Sequence, residues 1–583
     1  MWELLQLRAM RTRFLFRTRF LCGCFIVVAS LLIIRLYFVQ IVHGAKYTED
    51  AASQYVEQNP DTVTRGSIFF TAKDGELVSA AVMQTGWRIA IAPKAIVDPQ
   101  KIYTELNAIT PVDHDRFFAD AAKTSDPYEE VALRISDADA DTIRALKIPG
   151  VLLVADQWRF YPGGPLASQV LGFVGYSGTS TSKLGVYGLE KQWNNTLTEV
   201  TAGLYVNPFA EIFTNLQAAV SSDPSAHQGS IVTSIEPSVQ EQLEKTLGQV
   251  MSQYTPQFAG GIIMDPHTGE IYAIGGVPSF DPNTYGDVTN PVDYQDKLVE
   301  GRYELGSIMK PLTMAAGIDS GAITAATTYD DTGCITVSTY KVCNFDLKAR
   351  GVIPMQQILS QSLNVGASWV ATKMGYPTFT KYMNAYGFAQ KTGIDLPNEV
   401  TGDLSNLGHG TESAVNYDTA SFGQGIAVSP IEMARALSAL ANGGVLPNPH
   451  VVTGIKYESG ITRSIDPGQG PRVLSTTTAA IVTGMLQNVY DKSLLNGAIK
   501  MDHYTVAAKT GTAQIPQAGG GYIPGNVYLH SFFGYFPANN PRFIVFLFAF
   551  KPQGQEYASA TLARPFYQIA QFLINYYDIP PDR

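Results

Sequence analysis

The residues Ser307 and Lys310 stand three positions apart in the segment Glu-Leu-Gly-Ser-Ile-Met-Lys. A serine hydroxyl is a poor nucleophile until a base takes its proton. Lysine can be that base only if desolvation or a nearby cation lowers its pKa. Residues three apart share one face of a helix, so a helix here would let the Lys310 amine approach the Ser307 hydroxyl. The pair therefore predicts nucleophilic catalysis by a serine.

The Ser-x-x-Lys pattern alone is weak, because it occurs at 180–183, 307–310 and 338–341. The first copy lies among small polar residues and the third lies between two cysteines, and neither context predicts a helix. The middle copy opens an apolar stretch typical of a helix, and Pro311 restricts the helix start to the neighbourhood of Ser307. A helix start also supplies free N–H groups where an oxyanion would form. Context therefore favours Ser307 as the nucleophile.

Two further motifs follow in the same part of the chain. A Ser-Leu-Asn motif stands at 362–364, and a Lys-Thr-Gly-Thr motif stands at 509–512 after a short β-branched run that predicts a strand. Gly511 would let a substrate backbone or the nucleophile approach that strand closely. Lys509 would supply the second cation that helps to lower the pKa of Lys310.

The elements that must position these motifs lie after residue 229. A stretch rich in Ser, Asp and Pro at 221–225 predicts a boundary there, and a strand and a capped helix follow it. Hairpins are predicted at 260–276 and around Ala-Asn-Asn-Pro at 538–541, with largely helical sequence between them. This order predicts an α+β domain with one antiparallel sheet covered by helices. The preceding segment, 45–228, has mixed strand and helix signals and no nucleophile motif, so we expect a spacer or docking domain.

Length and charge define the setting of these domains. The chain has 583 residues, too many for one hydrophobic core, and its formal net charge of −10 argues against a nucleic acid partner. An apolar run at 20–42 is long enough to span a bilayer and follows a basic segment. This predicts a cytoplasmic tail over 1–19, a single membrane helix in the plasma membrane and an extracytoplasmic remainder. A cleaved signal peptide is the alternative, but the run exceeds the core of a typical one.

Two cysteines, Cys334 and Cys343, lie nine positions apart in a segment rich in Thr, Asp and Gly. Outside the cytoplasm such a pair can form a disulfide, and two free thiols are the alternative. Two cysteines without a neighbouring histidine fall short of a metal ligand set, so no metal is expected.

The three motifs in this order resemble those of the class B penicillin-binding proteins. The resemblance covers nearly the whole chain, and its other segments are RLYFVQIVHGAKY (35–47), RGSI (65–68), FYPGGPLASQVLGFVG (160–175), GVYGLE (185–190) and ASFGQGIAVSPIEMARALSALANGG (420–444). It implies an N-terminal transmembrane helix and an elongated mixed pedestal (dimerisation-like) domain over 45–228. It also implies a transpeptidase domain over 229–583, with an antiparallel sheet sandwiched by helices as in serine β-lactamases.

The resemblance also implies the chemistry. Ser307 would attack the penultimate D-Ala carbonyl of a peptidoglycan stem peptide, release the terminal D-Ala and form an acyl-enzyme. Lys310 would be the general base, and Ser362 would relay the proton to the leaving amine. The N–H groups of Ser307 and Thr512 would form the oxyanion hole. An amine of a neighbouring stem would then accept the acyl group, β-lactams would acylate the same serine, and no metal or organic cofactor would be needed.

Substrate binding is implied for the remaining motif residues. Asn364 would bind the substrate backbone, and Lys509, Thr510 and Gly511 would line the strand that holds the substrate carboxylate. The chain departs from the family at Leu305, where Pro is usual, and at 70–71, where Phe-Thr replaces Asp-Arg. The first change removes no catalytic group, and the second bears on pedestal contacts.

The Ser-x-Asn motif and the segment LHSFFGYFPANNPRF (529–543) look more like the division-specific FtsI-type branch. That branch implies septal cell-wall synthesis with an FtsW-type polytopic glycan polymerase and other divisome proteins as partners. An elongation-type transpeptidase, a β-lactamase or D,D-carboxypeptidase, and a non-catalytic divisome scaffold are the alternatives.

Overall fold

The computed structural model describes residues 65–176, 183–198, 229–407, 413–457 and 461–583. The predicted tail and membrane span, 1–19 and 20–42, lie outside these residues. Within them, no helix is both long and apolar enough to cross a membrane.

The strands in chain order are β1 (Ile68–Thr71), β2 (Leu77–Ile91), β3 (Glu129–Ile135), β4 (Val151–Phe160), β5 (Val174–Tyr176), β6 (Lys183–Gly185), β7 (Ser230–Thr233), β8 (Phe258–Met264), β9 (Ile271–Val277), β10 (Thr328–Asp331), β11 (Cys334–Val337), β12 (Tyr340–Cys343), β13 (Gly351–Pro354), β14 (Val452–Lys456), β15 (Thr462–Ser464), β16 (Ala507–Gln514), β17 (Tyr528–Phe536) and β18 (Phe543–Phe550). The α-helices are α1 (Pro99–Asn107), α2 (His114–Ala121), α3 (Asp137–Leu146), α4 (Ser168–Leu171), α5 (Gly188–Gln192), α6 (Asn194–Leu197), α7 (Pro237–Tyr254), α8 (Lys310–Asp319), α9 (Met355–Ser360), α10 (Asn364–Met374), α11 (Tyr376–Ala385), α12 (Ala414–Ala420), α13 (Pro430–Ala441), α14 (Thr476–Asn488) and α15 (Ala558–Tyr576).

A five-stranded antiparallel sheet in the order β16-β17-β18-β8-β9 forms the centre of the second domain. Residues 543–549 of β18 are all buried. Because successive side chains of a strand point to opposite faces, both faces of the sheet are covered. Helices α7 and α15 pack together on the sheet, and α13 and α14 also contact it. The active-site strand β16 is left at the sheet edge.

A second sheet, in the order β15-β14-β7-β1-β2-β3 with β4 paired to β2, crosses the predicted boundary at 229. Strand β1 pairs parallel to β7. At the departure from the family pattern, the Phe70 side chain is buried, and Thr71 Oγ1 donates to Thr233 O at 2.6 Å. Thr71 therefore bonds across the predicted boundary at 229.

Local signals place several predicted elements correctly. Ser136 Oγ caps α3 by accepting a hydrogen bond from the Asp139 N–H. The predicted hairpins are the β8–β9 and β17–β18 pairs. Pro311 lies in the first turn of α8, directly after a 3₁₀ turn at Gly306–Met309.

The pedestal contains a buried ion cluster around Glu190, whose carboxylate is fully buried. It accepts hydrogen bonds from Arg65 Nε at 2.5 Å and Arg159 Nε at 2.7 Å, and Arg159 also donates to Gly66 O at 2.8 Å. Burial by itself would raise the pKa of Glu190, but the charges of Arg159 and Arg65 outweigh it and lower that pKa. The segments 65–68 and 185–190 therefore meet through neutralised buried charges.

Candidate active site

The turn that carries Ser307 packs against the edge strand β16 at a distance that requires glycine. Gly306 has a φ of +68°, and a Cβ there would lie 2.8 Å from Thr512 O. A Cβ on Gly511 would lie 2.6 Å from Leu305 O. Two glycines thus let the turn and the strand approach each other closely, which matches the close approach predicted for Gly511.

Two hydrogen bonds to other parts of the chain hold this turn. Ser531 Oγ donates to Leu305 O at 2.8 Å, and the Gly306 N–H donates to the Gly423 carbonyl at 3.0 Å. The Leu305 side chain is 1% exposed, so the residue that replaces the family's proline packs in the core. The nucleophile turn is therefore fixed from both sides of the strand.

A carboxylate next to the turn links it to the loop after β16. Glu304 Oε2 accepts a hydrogen bond from Gln424 Nε2 at 2.5 Å and another from the Tyr522 hydroxyl at 3.0 Å. Gln424 Oε1 in turn accepts from the Gln514 N–H at 3.2 Å. Sequence reasoning did not single out these residues, because the hydrogen bonds between them join positions 90 to 218 apart.

Lys310, the first residue of α8, is 1% exposed. Its amine donates to Ser362 O at 2.5 Å, to Asn364 Oδ1 at 2.8 Å and to Ser362 Oγ at 3.3 Å. Ser362 holds a left-handed φ of +58°, a conformation that is uncommon for non-glycine residues and recurs at functional sites. The second motif therefore surrounds the lysine amine.

Lys509, on the edge strand β16, contacts the same serine, Ser362. Its amine donates to Ser362 Oγ and to Thr510 O, both at 3.0 Å. Burial lowers the pKa of Lys509 to about 7. Burial, and then the charge of Lys509, hold the pKa of Lys310 well below its ordinary value. Within the described part of the chain, neither lysine has a carboxylate within ion-pair distance.

The Ser307 hydroxyl is half-buried. Among the hydrogen bonds of the described residues, none joins it to the Lys310 amine, which is engaged by Ser362 and Asn364 instead. The structure thus brings the three motifs together, but through Ser362 and not through the predicted Ser307–Lys310 contact. Residues 362 and 364 lie at the start of another helix. The spacing of residues 307 and 310 does not determine where that helix packs, so it could not predict these acceptors.

Thr510 and Thr512 lie half-buried on the edge strand. An edge strand keeps alternate backbone N–H groups free of a partner strand, so this edge can donate to a ligand. The Thr512 hydroxyl accepts a hydrogen bond from the Ala558 N–H at 3.1 Å, which attaches the start of α15 to the strand.

Cys334 and Cys343 form a disulfide that closes the β11–β12 hairpin. The Cys343 carbonyl accepts a hydrogen bond from Asn364 Nδ2 at 2.9 Å. Of the other two Ser-x-x-Lys copies, Ser338 and Lys341 lie at the tip of this hairpin, and Ser180 lies outside the described residues. Within the described ranges, no group of three or more His, Cys, Asp or Glu could hold a metal ion.

A serine at a helix start beside an edge strand, with two buried lysines that share a second serine, defines the site of an active-site-serine acyltransferase. A family model described as the penicillin binding protein transpeptidase domain matches residues 259–571. Another, described as the penicillin-binding protein dimerisation domain, matches residues 60–204. The chain belongs to the class B penicillin-binding proteins.

Individual relatives match over nearly the full chain. Stage V sporulation protein D of Bacillus subtilis (strain 168) is 28% identical, with 95% of this chain and 84% of the relative covered. Peptidoglycan D,D-transpeptidase FtsI of Escherichia coli (strain K12) is 24% identical, with 97% and 92% covered. The crystal structure of penicillin binding protein 2X from Streptococcus thermophilus matches with a TM-score of 0.70 and 22% identity, with 89% and 81% covered, and has the same fold.

Proposed function

We propose that this chain is a peptidoglycan D,D-transpeptidase that cross-links stem peptides through an acyl-enzyme on Ser307. The observation that carries the proposal is the pair of buried lysines, Lys310 and Lys509, which share the Ser362 hydroxyl and, among the described residues, have no carboxylate within ion-pair distance. Burial and the nearby charge of Lys509 lower the pKa of Lys310, which favours the neutral amine that can accept a proton.

In the acylation step, the Ser307 oxygen attacks the carbonyl carbon of the penultimate D-Ala and its proton passes to Lys310. Lys310 must exchange one of its present acceptors for the Ser307 hydroxyl to do this. The oxyanion faces the N–H groups of Ser307 and Thr512, on the turn and the edge strand that approach each other most closely. The peptide C–N bond then breaks, and the leaving D-Ala amine takes a proton from Ser362, which recovers one from Lys310. An amine of another stem attacks the carbonyl of the resulting ester. Its proton returns through Lys310 to the Ser307 oxygen as the ester C–O bond breaks, which completes the cross-link.

The edge strand β16, which carries Lys509, Thr510 and Gly511, binds the substrate together with Asn364. Lys509, with a pKa of about 7, becomes fully protonated when the terminal carboxylate of the substrate binds beside it and Thr510. Asn364 binds the substrate backbone, and Gly511 leaves room for it along the strand. β-Lactams carry the same carboxylate next to a reactive carbonyl, so they acylate Ser307 as substrate mimics.

The domain plan is part of the proposal: a tail over 1–19, a membrane helix over 20–42, a pedestal over 45–228 and a transpeptidase domain over 229–583. The apolar run and the basic segment before it support the anchor, with the N-terminus in the cytoplasm and the catalytic domain outside. The two family matches, which end and begin on either side of 229, support the division of the rest.

We assign the chain to septal synthesis with an FtsW-type polymerase and other divisome proteins. The Ser-x-Asn motif, the 529–543 segment and the FtsI relative support this assignment. A fluorescent fusion that concentrates at the division septum is the expected result, whereas a fusion spread along the lateral wall would assign the chain to elongation.

Covalent labelling of the detergent-solubilised chain with a fluorescent penicillin tests the chemistry. Label should be lost in Ser307→Ala and retained in Ser338→Ala, a matched control in another Ser-x-x-Lys copy. A folded wild-type protein that takes no label would contradict the mechanism and favour a non-catalytic scaffold. Label that is rapidly hydrolysed would favour a β-lactamase.

A further inference from the structure

Two exposed aromatic rings from distant parts of the chain contact each other beside residues that are bonded to the site. Phe345 is 57% exposed and Tyr557 is 44% exposed. Their ring centroids lie 5.8 Å apart with an interplanar angle of 74°, an edge-to-face contact. The two residues are 212 positions apart in the chain, and each is next to backbone that is bonded to one of the motif segments.

The backbone before Phe345 is fixed to the wall that carries Asn364. Asn344 is 1% exposed, and its Nδ2 donates to both carboxylate oxygens of the buried Asp331, at 2.9 and 3.1 Å. Its Oδ1 accepts from the Val365 N–H at 3.2 Å, in the first turn of α10. With the bond from Asn364 to the Cys343 carbonyl, this anchor sets the direction in which Phe345 leaves the wall.

The backbone on both sides of Tyr557 is fixed to the sheet. The Ala558 N–H donates to Thr512 Oγ1 at 3.1 Å, and the Glu556 carbonyl pairs with Nε2 of the buried His530 at 3.1 Å. His530 is the register partner of Thr512 in the neighbouring strand. Tyr557 is therefore held at the edge of the wall that carries the proposed oxyanion donor.

We propose that the Phe345–Tyr557 contact is a size filter on the acyl donor. The two rings bridge the walls that carry Asn364 and Thr512, so they span one end of the space that a donor must enter. A donor with a bulky group must separate the rings before its carbonyl reaches Ser307, whereas a small donor need not. The filter rests on the proposed function, because it presumes that Ser307 is acylated.

The test compares acylation rate constants of the full-length, detergent-solubilised chain with two β-lactams. One is 6-aminopenicillanic acid, which lacks an acyl side chain, and the other is a penicillin with a bulky fluorescent side chain. Phe345→Ala and Tyr557→Ala should each accelerate acylation by the bulky compound about two- to fivefold, because opening no longer breaks an aromatic contact. The small compound should react at the wild-type rate. The matched control is Tyr340→Ala, in the same disulfide hairpin and 61% exposed, which should change neither rate.

Conservative variants exclude a purely structural effect. Tyr557→Phe keeps the ring and should behave like the wild type, whereas Phe345→Trp enlarges the ring and should slow only the bulky compound. Slower acylation by the bulky compound in the alanine variants would overturn the filter, because it would show that the rings bind the side chain. Equal changes for both compounds, or none, would also overturn it. If neither compound acylates the wild type, the proposed function has failed and not the filter alone.

Discussion

In the pedestal, Arg65 and Arg159 flank the fully buried carboxylate of Glu190. In the active site, Lys310 and Lys509 instead share the hydroxyl of Ser362, which carries no charge. The arginines therefore have a buried counter-ion. The two lysines, which have no such partner within the described part of the chain, have lowered pKa values. Both groups of cations are buried. The arginines have a buried anion beside them and the lysines do not, and this difference separates the structural cluster from the amines with lowered pKa values.

This difference distinguishes a structural cluster from a reactive one. The ion cluster balances its buried charges and joins the segments that contribute to it. Buried amines without an anion have lowered pKa values, and they favour an anionic ligand that supplies the missing charge. The comparison thus predicts opposite consequences when one member of each group is removed.

The largest expected effect is on catalysis. Lys310→Met keeps the length of the side chain but removes the base, so acylation by a fluorescent penicillin should fall about 10³-fold. The free energy of unfolding should stay constant or rise, since the substitution removes a buried amine that has no counter-ion. Stopped-flow labelling and chemical denaturation measure the two quantities. Acylation within tenfold of the wild-type rate would exclude Lys310 as the base.

The reverse pattern is expected in the pedestal. Glu190→Gln leaves two buried guanidinium groups without their anion and should lower the free energy of unfolding by about 3 kcal/mol or more. Folded molecules should still be acylated at close to the wild-type rate at low temperature. The exposed Glu76→Gln serves as a matched control, with an expected change within about 0.5 kcal/mol. A stable Glu190→Gln variant would show that the ion cluster does not hold the pedestal together.

The sequence predicted the parts of the site that depend on local signals. Pro311 restricted the helix start, the β-branched run before Lys509 indicated a strand, and turn residues marked the two hairpins of the main sheet. Each of these signals acts over a few residues, so it can be interpreted without knowledge of the fold.

The sequence could not predict contacts that depend on the relative placement of distant elements. The left-handed backbone at Ser362 directs its carbonyl and hydroxyl to Lys310, and residue spacing contains no information about that conformation. The link from Asn364 to the Cys343 carbonyl needs the disulfide hairpin to dock on α10. The sheet that crosses residue 229 likewise pairs strands that are more than 150 residues apart. Such pairings are fixed by packing of the whole domain and not by any local pattern.

The smallest expected effect tests whether the two lysines influence each other. In the wild type, the neutral form of Lys310 is the reactive one, so the acylation rate rises with pH through the pKa of Lys310 to a maximum. Lys509→Met removes a nearby positive charge, which is the lesser cause of the lowered pKa after burial. The pKa of Lys310 should therefore rise, and the acidic limb of the pH–rate profile should move to higher pH. The maximum acylation rate should also fall about tenfold, because the carboxylate of the penicillin loses a charged partner.

Lys500→Met, which removes an exposed lysine, is the matched control and should leave the profile in place. A limb that stays fixed or moves to lower pH in Lys509→Met would show that burial alone sets the pKa of Lys310, and that Lys509 only binds the substrate.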